Sequence, residues 1–218
     1  MSADRDGELA AGVTVVDHAL AAHYLAQLRD RTTPMPAFRD AMRGLSLVLG
    51  AAATADLPLR SVTVETPLEA TPARRLDDDT LFLVSVLRAG EGLLEGLRHL
   101  APGARIGHVG LYRDPATLKP VHYYEHLPPD MGRGLVLIVD PMLATGASAV
   151  AAVDRVKRHG GRRVRLVSVI AAPEGIAAMR EAHPDVSIVT AAIDRGLDSH
   201  GYIRPGLGDA GDRYFGTQ

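Results

Sequence analysis

The chain has 218 residues, no cysteine, 24 Lys plus Arg against 26 Asp plus Glu, and a formal net charge of −2. That length holds one substantial core, so residues 1–218 are read as a single domain with a flexible N-terminus over 1–16. Without cysteine there are no disulfides or thiolate metal sites, and the balanced charge argues against a nucleic-acid-binding surface or an electrostatic membrane anchor. No run of about 18 uncharged apolar residues suggests a membrane span. Met1 to Glu8 lacks the basic-then-apolar order of a signal peptide, which makes the cytoplasm the expected location.

Asp17 to Arg29 and Thr33 to Ala55 are Ala- and Leu-rich and read as helices that precede any strand, with Thr32 or Thr33 as N-cap of the second and Pro34 early in it. Ser61 to Glu65 alternates as a strand, and Leu68 to Asp79 reads as a polar connection. Thr80 to Leu87 is a near-continuous apolar strand, Arg88 to Gly92 a tight turn, Leu93 to Leu100 a short helix and Ile106 to Leu111 a further strand. Leu111 to Leu127 reads as a hairpin flap.

Strand and helix then alternate: Leu135 to Val139, Ala149 to His159, Val164 to Ala171, Gly175 to His183 and Val186 to Ala191. Continuous Val, Ile and Leu strands separated by helices predict a parallel sheet covered on both faces, with ligands at the carboxyl ends of the strands. Three such ends carry polar or small residues that could converge: Arg88-Ala89-Gly90, Asp140 to Ser148, and Asp194 onward.

The sharpest local feature is the strand Leu135 to Val139 ending in Asp140, Pro141, Met142, Leu143, Ala144, Thr145, Gly146, Ala147 and Ser148 before a helix. Small residues let backbone amides approach a ligand and the helix start adds its positive dipole end, so this loop suits a phosphate, with Asp140 facing the sugar or its metal. An ordinary strand-to-helix turn is the plainer alternative. Arg88 and Arg113 have two readings each: diphosphate ligands, or an ion-pair partner and a solvated hairpin residue respectively.

Two familiar patterns read as decoys. Gly206-Leu207-Gly208-Asp209-Ala210-Gly211 fits G-x-G-x-x-G, yet Pro205 precedes it and too few residues follow for a helix and partner strand. His122-Tyr123-Tyr124-Glu125-His126 fits a zinc pattern that needs a helix, whereas Pro120, Pro128 and Pro129 bracket it and favour a hairpin arm.

Val139 to Gly146, Ala171 to Ile176 and Tyr202 to Asp212, in this order, resemble uracil phosphoribosyltransferases, and the resemblance extends from about Asp17 to the C-terminus. It implies the type I phosphoribosyltransferase fold: an α/β parallel sheet with helices on both faces, N-terminal helices, a flexible β-hairpin and a small C-terminal hood. It also implies transfer of phosphoribose from 5-phospho-α-D-ribose 1-diphosphate to uracil N1, giving UMP in pyrimidine salvage. Asp140 to Ser148 would hold the ribose 5-phosphate with Asp140 on the ribose hydroxyls, Arg88 and Arg113 the diphosphate, and Ile203, Gly208, Asp209 and Ala210 the uracil. Asp209 would also face the donor, and Asp209, Asp140 and Arg113 are the expected catalytic set.

Mg²⁺ would be held mainly by the donor diphosphate and water, without an assigned protein ligand. The resemblance implies a homo-oligomer, relatives being commonly dimers or larger, with GTP as a candidate activator. Ala147 stands where the family generally has a second glycine, Glu91 where an apolar residue is common, and Ala51-Ala52 where relatives often place a tyrosine and an acid. A phosphoribosyltransferase for another or modified base, or a pyrimidine-operon RNA-binding regulator on the same fold, are the alternative functions.

Overall fold

The computed structural model describes residues 12–77, 80–113 and 120–217. In chain order the elements are β1 (Val13–Val15), α1 (Ala19–Arg29), α2 (Met35–Ala53), β2 (Arg60–Glu65), β3 (Ala70–Arg75), β4 (Leu81–Leu87), α3 (Glu91–Leu100), β5 (Arg105–Arg113) and β6 (Pro120–His126). There follow β7 (Leu135–Val139), β8 (Met142–Leu143), α4 (Ala147–Arg158), β9 (Arg163–Ala171), α5 (Pro173–Ala182), β10 (Ser187–Ile193), β11 (Gly196–Leu197), β12 (Ile203–Arg204) and α6 (Ala210–Phe215).

The main sheet runs β1-β10-β9-β7-β4-β5-β6, with β8 also on β9. Its pairs are parallel except β5 with β6, which form the expected hairpin. From β4 the chain moves outward through β5 and β6 on one side. It then returns to place β7, β9 and β10 on the other. The order therefore reverses between β4 and β7, where the carboxyl ends leave a crevice for a ligand.

β7 shows why this sheet is two-sided. Leu135, Leu137 and Val139 pack into a core with α1, α2 and α3, while Val136 and Ile138 join a second core with α4 and α5. All five residues are buried. Each such side chain removed from water contributes about 1.5–3 kcal/mol, so an unbroken aliphatic run is stable only with helices on both faces. Gly90, in the turn after β4, shows how closely the two central strand ends approach: an added Cβ would lie 2.6 Å from the Val139 carbonyl oxygen.

Four expectations are corrected. Residues 13–15, taken as part of a flexible N-terminus, form β1 on the edge of the sheet, so a strand precedes the first helix; residues 1–11 lie outside the described residues. The Leu68 to Asp79 connection contains β3, which pairs antiparallel with β2; with no residue of β3 fully buried and Pro72, Arg74 and Arg75 exposed, the strand carries no apolar alternation to read. Neither Thr32 nor Thr33 caps α2: Pro34 occupies the N-cap, while Thr32 bonds the Asp30 carboxylate and the Thr33 hydroxyl donates to the Gln27 carbonyl. Finally, Asp194 is not at an open strand end but is buried and paired, as described below.

Candidate active site

At the end of β7 the loop is shaped by its own backbone. The Asp140 amide donates to the Val167 carbonyl (3.2 Å), and the Asp140 carboxylate accepts from the Met142 amide (3.2 Å). β8 then ties Met142 and Leu143 to β9, and the Ala172 amide donates to the Leu143 carbonyl (2.8 Å). Gly146 is the N-cap of α4 with φ +82°, and no side chain caps that helix start. A side chain at Gly146 would be strained by the left-handed backbone and would also put its Cβ 2.8 Å from that of Ala178. The uncapped amides and the helix dipole favour an anion there.

The C-terminal segment is held by ionic struts. Arg29 of α1 bonds the Asp194 carboxylate at 2.6 and 2.8 Å and the Gly206 carbonyl at 2.8 Å, while the Gly206 amide donates to Asp194 (2.9 Å). Arg213 donates to the carbonyls of Leu28, Leu207 and Asp30 and lies 4.3 Å from the centre of the Phe38 ring. Glu174 of α5 accepts from the Leu197 amide (3.1 Å), which explains the acid in the Ala171 to Ile176 motif. Gly206 and Gly208 turn the chain with φ +67° and +80°, whereas Gly211 is helical, in α6.

Between the loop and this segment lies a cavity of about 540 Å³. It is lined by Ala89, Asp140, Met142 and Ala144 on one side and by His200 to Ile203 and Gly208 to Gly211 on the other. Asp140, Met142, Ala144, Ile203, Gly208, Asp209 and Ala210 are thus brought together as the sequence suggested. Pro141 and Leu143 are buried and shape the loop without lining the cavity; Thr145, Gly146, Ala147 and Ser148 continue it into α4 beside that cavity. His200 and Tyr202 line the cavity but were not singled out as ligands, because a turn residue and an exposed tyrosine carry no distinctive spacing.

Burial pushes the Asp140 carboxyl up to about 6, only partly opposed by the Met142 amide. Asp209 caps α6, its Oδ1 accepting from the Asp212 amide (2.9 Å). Arg88 lies outside the cavity lining: its guanidinium is 3.4 Å from Asp212 and 5.6 Å from the centre of the Phe215 ring, which is the ion-pair reading of this residue. Arg113 ends β5 opposite Pro120 in the register. Its side chain and the hairpin residues 114–119 lie outside the described residues.

Two departures find physical explanations. Ala147 is the first helical residue of α4 and the positive φ belongs to Gly146, so the backbone makes no demand for glycine at 147. Glu91 turns to His108 on β5, with Oε1 3.3 Å from Nε2, a contact within ion-pair reach. His122, Glu125 and His126 lie on strand β6, the hairpin arm expected, and the glycine-rich run starts just after the two-residue β12 and Pro205 and ends inside the six-residue α6. Among the described residues no cluster of three His or acidic groups is arranged for a metal, and no helix is long and apolar enough to cross a membrane.

The family model for uracil phosphoribosyltransferase matches residues 15–217. The uracil phosphoribosyltransferase of Paracoccus denitrificans is 51% identical over 208 residues, 95% of this chain and 99% of the relative. That of Symbiobacterium thermophilum is 52% identical over 206 residues, 94% and 99% of the two chains. Among solved structures, the AQ2163 protein from Aquifex aeolicus is 33% identical with TM-score 0.90, covering 94% of this chain and 99% of its own. A Bacillus anthracis hypoxanthine-guanine phosphoribosyltransferase, 12% identical with TM-score 0.50 over 73% and 80% of the chains, shares the fold alone. With matches that span nearly the whole chain and a cavity formed jointly by its phosphate-type loop and its glycine-rich tail, this chain belongs to the uracil phosphoribosyltransferase family.

Proposed function

We propose that the 540 Å³ cavity is where uracil N1 attacks C1 of 5-phospho-α-D-ribose 1-diphosphate to give UMP and diphosphate. The protein is a transferase of the uracil phosphoribosyltransferase family, whose reaction this is. The observation that carries the assignment is the shared lining: Asp140 and its loop on one wall, Ile203 and Gly208 to Gly211 on the other. The 5-phosphate binds the uncapped start of α4 beyond Gly146, and the Asp140 carboxylate accepts the ribose hydroxyls.

Uracil lies between Ile203 and the Gly208-Asp209-Ala210 backbone. A main-chain carbonyl accepts its N3–H and an amide donates to O4. Cytosine reverses that pattern, leaving buried groups unpaired, a mismatch able to reject it by roughly 10⁴-fold. Arg113, at the end of β5, and Arg88, once released from Asp212, meet the diphosphate.

Asp140 and Asp209, the carboxylates that line the cavity among the described residues, fit a hard cation that takes few protein ligands and keeps its waters. Mg²⁺ held by the donor diphosphate and these oxygens would supply charge neutralisation for the leaving group. The chain's own residues position the donor, exclude water and read the base.

Homo-oligomerisation is part of this reading. β2 and β3 form a separate two-stranded sheet in which no residue is buried, with Leu59, Leu68 and Leu76 exposed around it. An isolated hairpin is marginal in water and gains stability against a second copy. Sedimentation at several protein concentrations measures this.

Incubating the protein with the donor, Mg²⁺ and, separately, uracil, cytosine or hypoxanthine, and separating the nucleotides formed, tests the function. Uracil is the base consumed; absence of UMP would overturn the assignment. Adding GTP to the same assay tests whether that nucleotide activates the protein.

A further inference from the structure

We propose that His200 is the catalytic group that takes the N1 proton from uracil as the glycosidic bond forms. This rests on the reading of the cavity as the uracil site. It goes beyond that reading by naming the acceptor of a proton that the transfer must release.

Uracil arrives with hydrogen on N1 and leaves as UMP without it. The N1 electron pair forms the bond to ribose C1. The C1–O bond breaks with its pair going to diphosphate, and the N1–H proton passes to the acceptor. An acceptor must be in the cavity, hold a lone pair near neutral pH and have no competing obligation.

Among the described residues His200 is the one histidine lining the cavity, and an imidazole is the side chain whose ordinary charge change falls near neutrality. The other titratable groups there have other obligations. Asp140 accepts the Met142 amide and faces the ribose; Asp209 caps α6 through the Asp212 amide; Tyr202 offers a phenolic O–H.

The turn that presents His200 is firmly built. Asp198 Oδ1 accepts from the amides of His200 (2.9 Å) and Tyr202 (3.0 Å), and Oδ2 accepts from Arg204 at 2.8 and 2.5 Å. The Gly201 amide donates to the Asp198 carbonyl at 2.9 Å. Position 200 is thus held at the tip of the β11–β12 ribbon against the cavity. His200 Nδ1 lies 3.3 Å from the Ser199 hydroxyl oxygen. With Nδ1–H donating to that oxygen, Nε2 keeps the lone pair. A base oriented by a second polar group is the arrangement that general-base catalysis uses.

The test compares His200→Gln with the parent protein on uracil and on 5-fluorouracil, whose N1–H is more acidic. With saturating donor, the variant should lose on the order of 10²-fold in kcat with uracil and markedly less with 5-fluorouracil. Equal losses on the two bases, or unchanged uracil kinetics, would overturn the role of His200.

Circular dichroism and donor affinity should match the parent, because Asp198 holds the turn through the backbone of residue 200; a collapse of either would show a structural residue instead and overturn the proposal. As a second variant, Ser199→Ala leaves the imidazole in place and should cost only several-fold with uracil. A loss as large as that of His200→Gln would contradict the assignment. If the parent protein itself made no UMP, the uracil reading would fail, an outcome distinct from any of these.

Discussion

Arg29 and Asp194 are 165 residues apart, and their paired side chains fasten the C-terminal tail to the first helix with contacts of 2.6 and 2.8 Å. The Asp194 side chain is 5% exposed and also receives the Gly206 amide (2.9 Å), so one carboxylate serves both α1 and the turn that leads to the cavity-lining Gly208 and Gly211.

Replacing Arg29 by Ala should therefore act on the base side of the site. It leaves a buried carboxylate with only a backbone partner, a loss of about 2–4 kcal/mol given the partial exposure of the arginine. Thermal unfolding and steady-state kinetics should show a lower Tm and a uracil KM raised about tenfold, with the donor KM little changed. A selective rise in the donor KM would contradict this coupling.

Asp140 predicts a conflict between stability and activity. Its carboxyl, ordinarily at 3.8, is raised to about 6 in the folded protein by burial. The ionised form is therefore penalised in the fold: the penalty is absent below pH about 4, grows as pH rises toward 6 and is complete above it. Asp140→Asn should raise the stability of the ligand-free protein at pH 7.5 by roughly 1–2 kcal/mol, after allowing for solvent at a half-buried group, while abolishing most transfer. In the parent, kcat/KM for the donor should fall as pH drops through about 6.

Gly146 and Ala147 should respond oppositely to the same methyl group. Gly146→Ala must adopt φ near +82° and approach Ala178, so a cost of about 1–2 kcal/mol and a weaker hold on the 5-phosphate are expected. Ala147→Gly should alter donor KM by no more than about threefold, since the residue is already helical, and should slightly destabilise α4, by about 0.5–1 kcal/mol. Donor titration and denaturant unfolding measure both.

Glu125 of β6 ties the hairpin to α4: Arg155 lies at 2.7 Å, His159 at 3.3 Å and His122 at 3.6 Å. Burial alone would raise its pKa, but the Arg155 hydrogen bond and the charges of Arg155, His159 and His122 bring it below the ordinary value of 4.5. A depressed carboxylate contributes stability above its unfolded pKa and loses it as pH falls through the folded value. Glu125→Gln should cost about 1 kcal/mol at pH 7 and progressively less as pH falls through the depressed folded value, which unfolding curves at a series of acidic pH values resolve.

The parts of this protein that were legible from residues alone are those governed by local pattern. Leu135 to Val139 had to be a two-sided strand because no exposed face tolerates five consecutive aliphatics, and the small residues Ala144 to Ser148 ahead of a helix marked a loop that a phosphate could approach. The β3 strand was hidden for the converse reason. Its partner supplies the backbone hydrogen bonds while its side chains stay exposed, so burial left no apolar pattern to read.

Composition and motif order by themselves determined the fold class, the phosphate-type loop and the family resemblance, since glycine placement, strand hydrophobicity and helix starts are properties of neighbouring residues. Only the tertiary structure decided that Asp194 is a strut and not a ligand, that Arg88 is engaged with Asp212, and that His200 lines the same cavity as Asp140. These depend on contacts across 60 to more than 160 positions. Charge pairing, burial and a shared cavity are set by which distant segments the packed core brings together, and no local spacing records them.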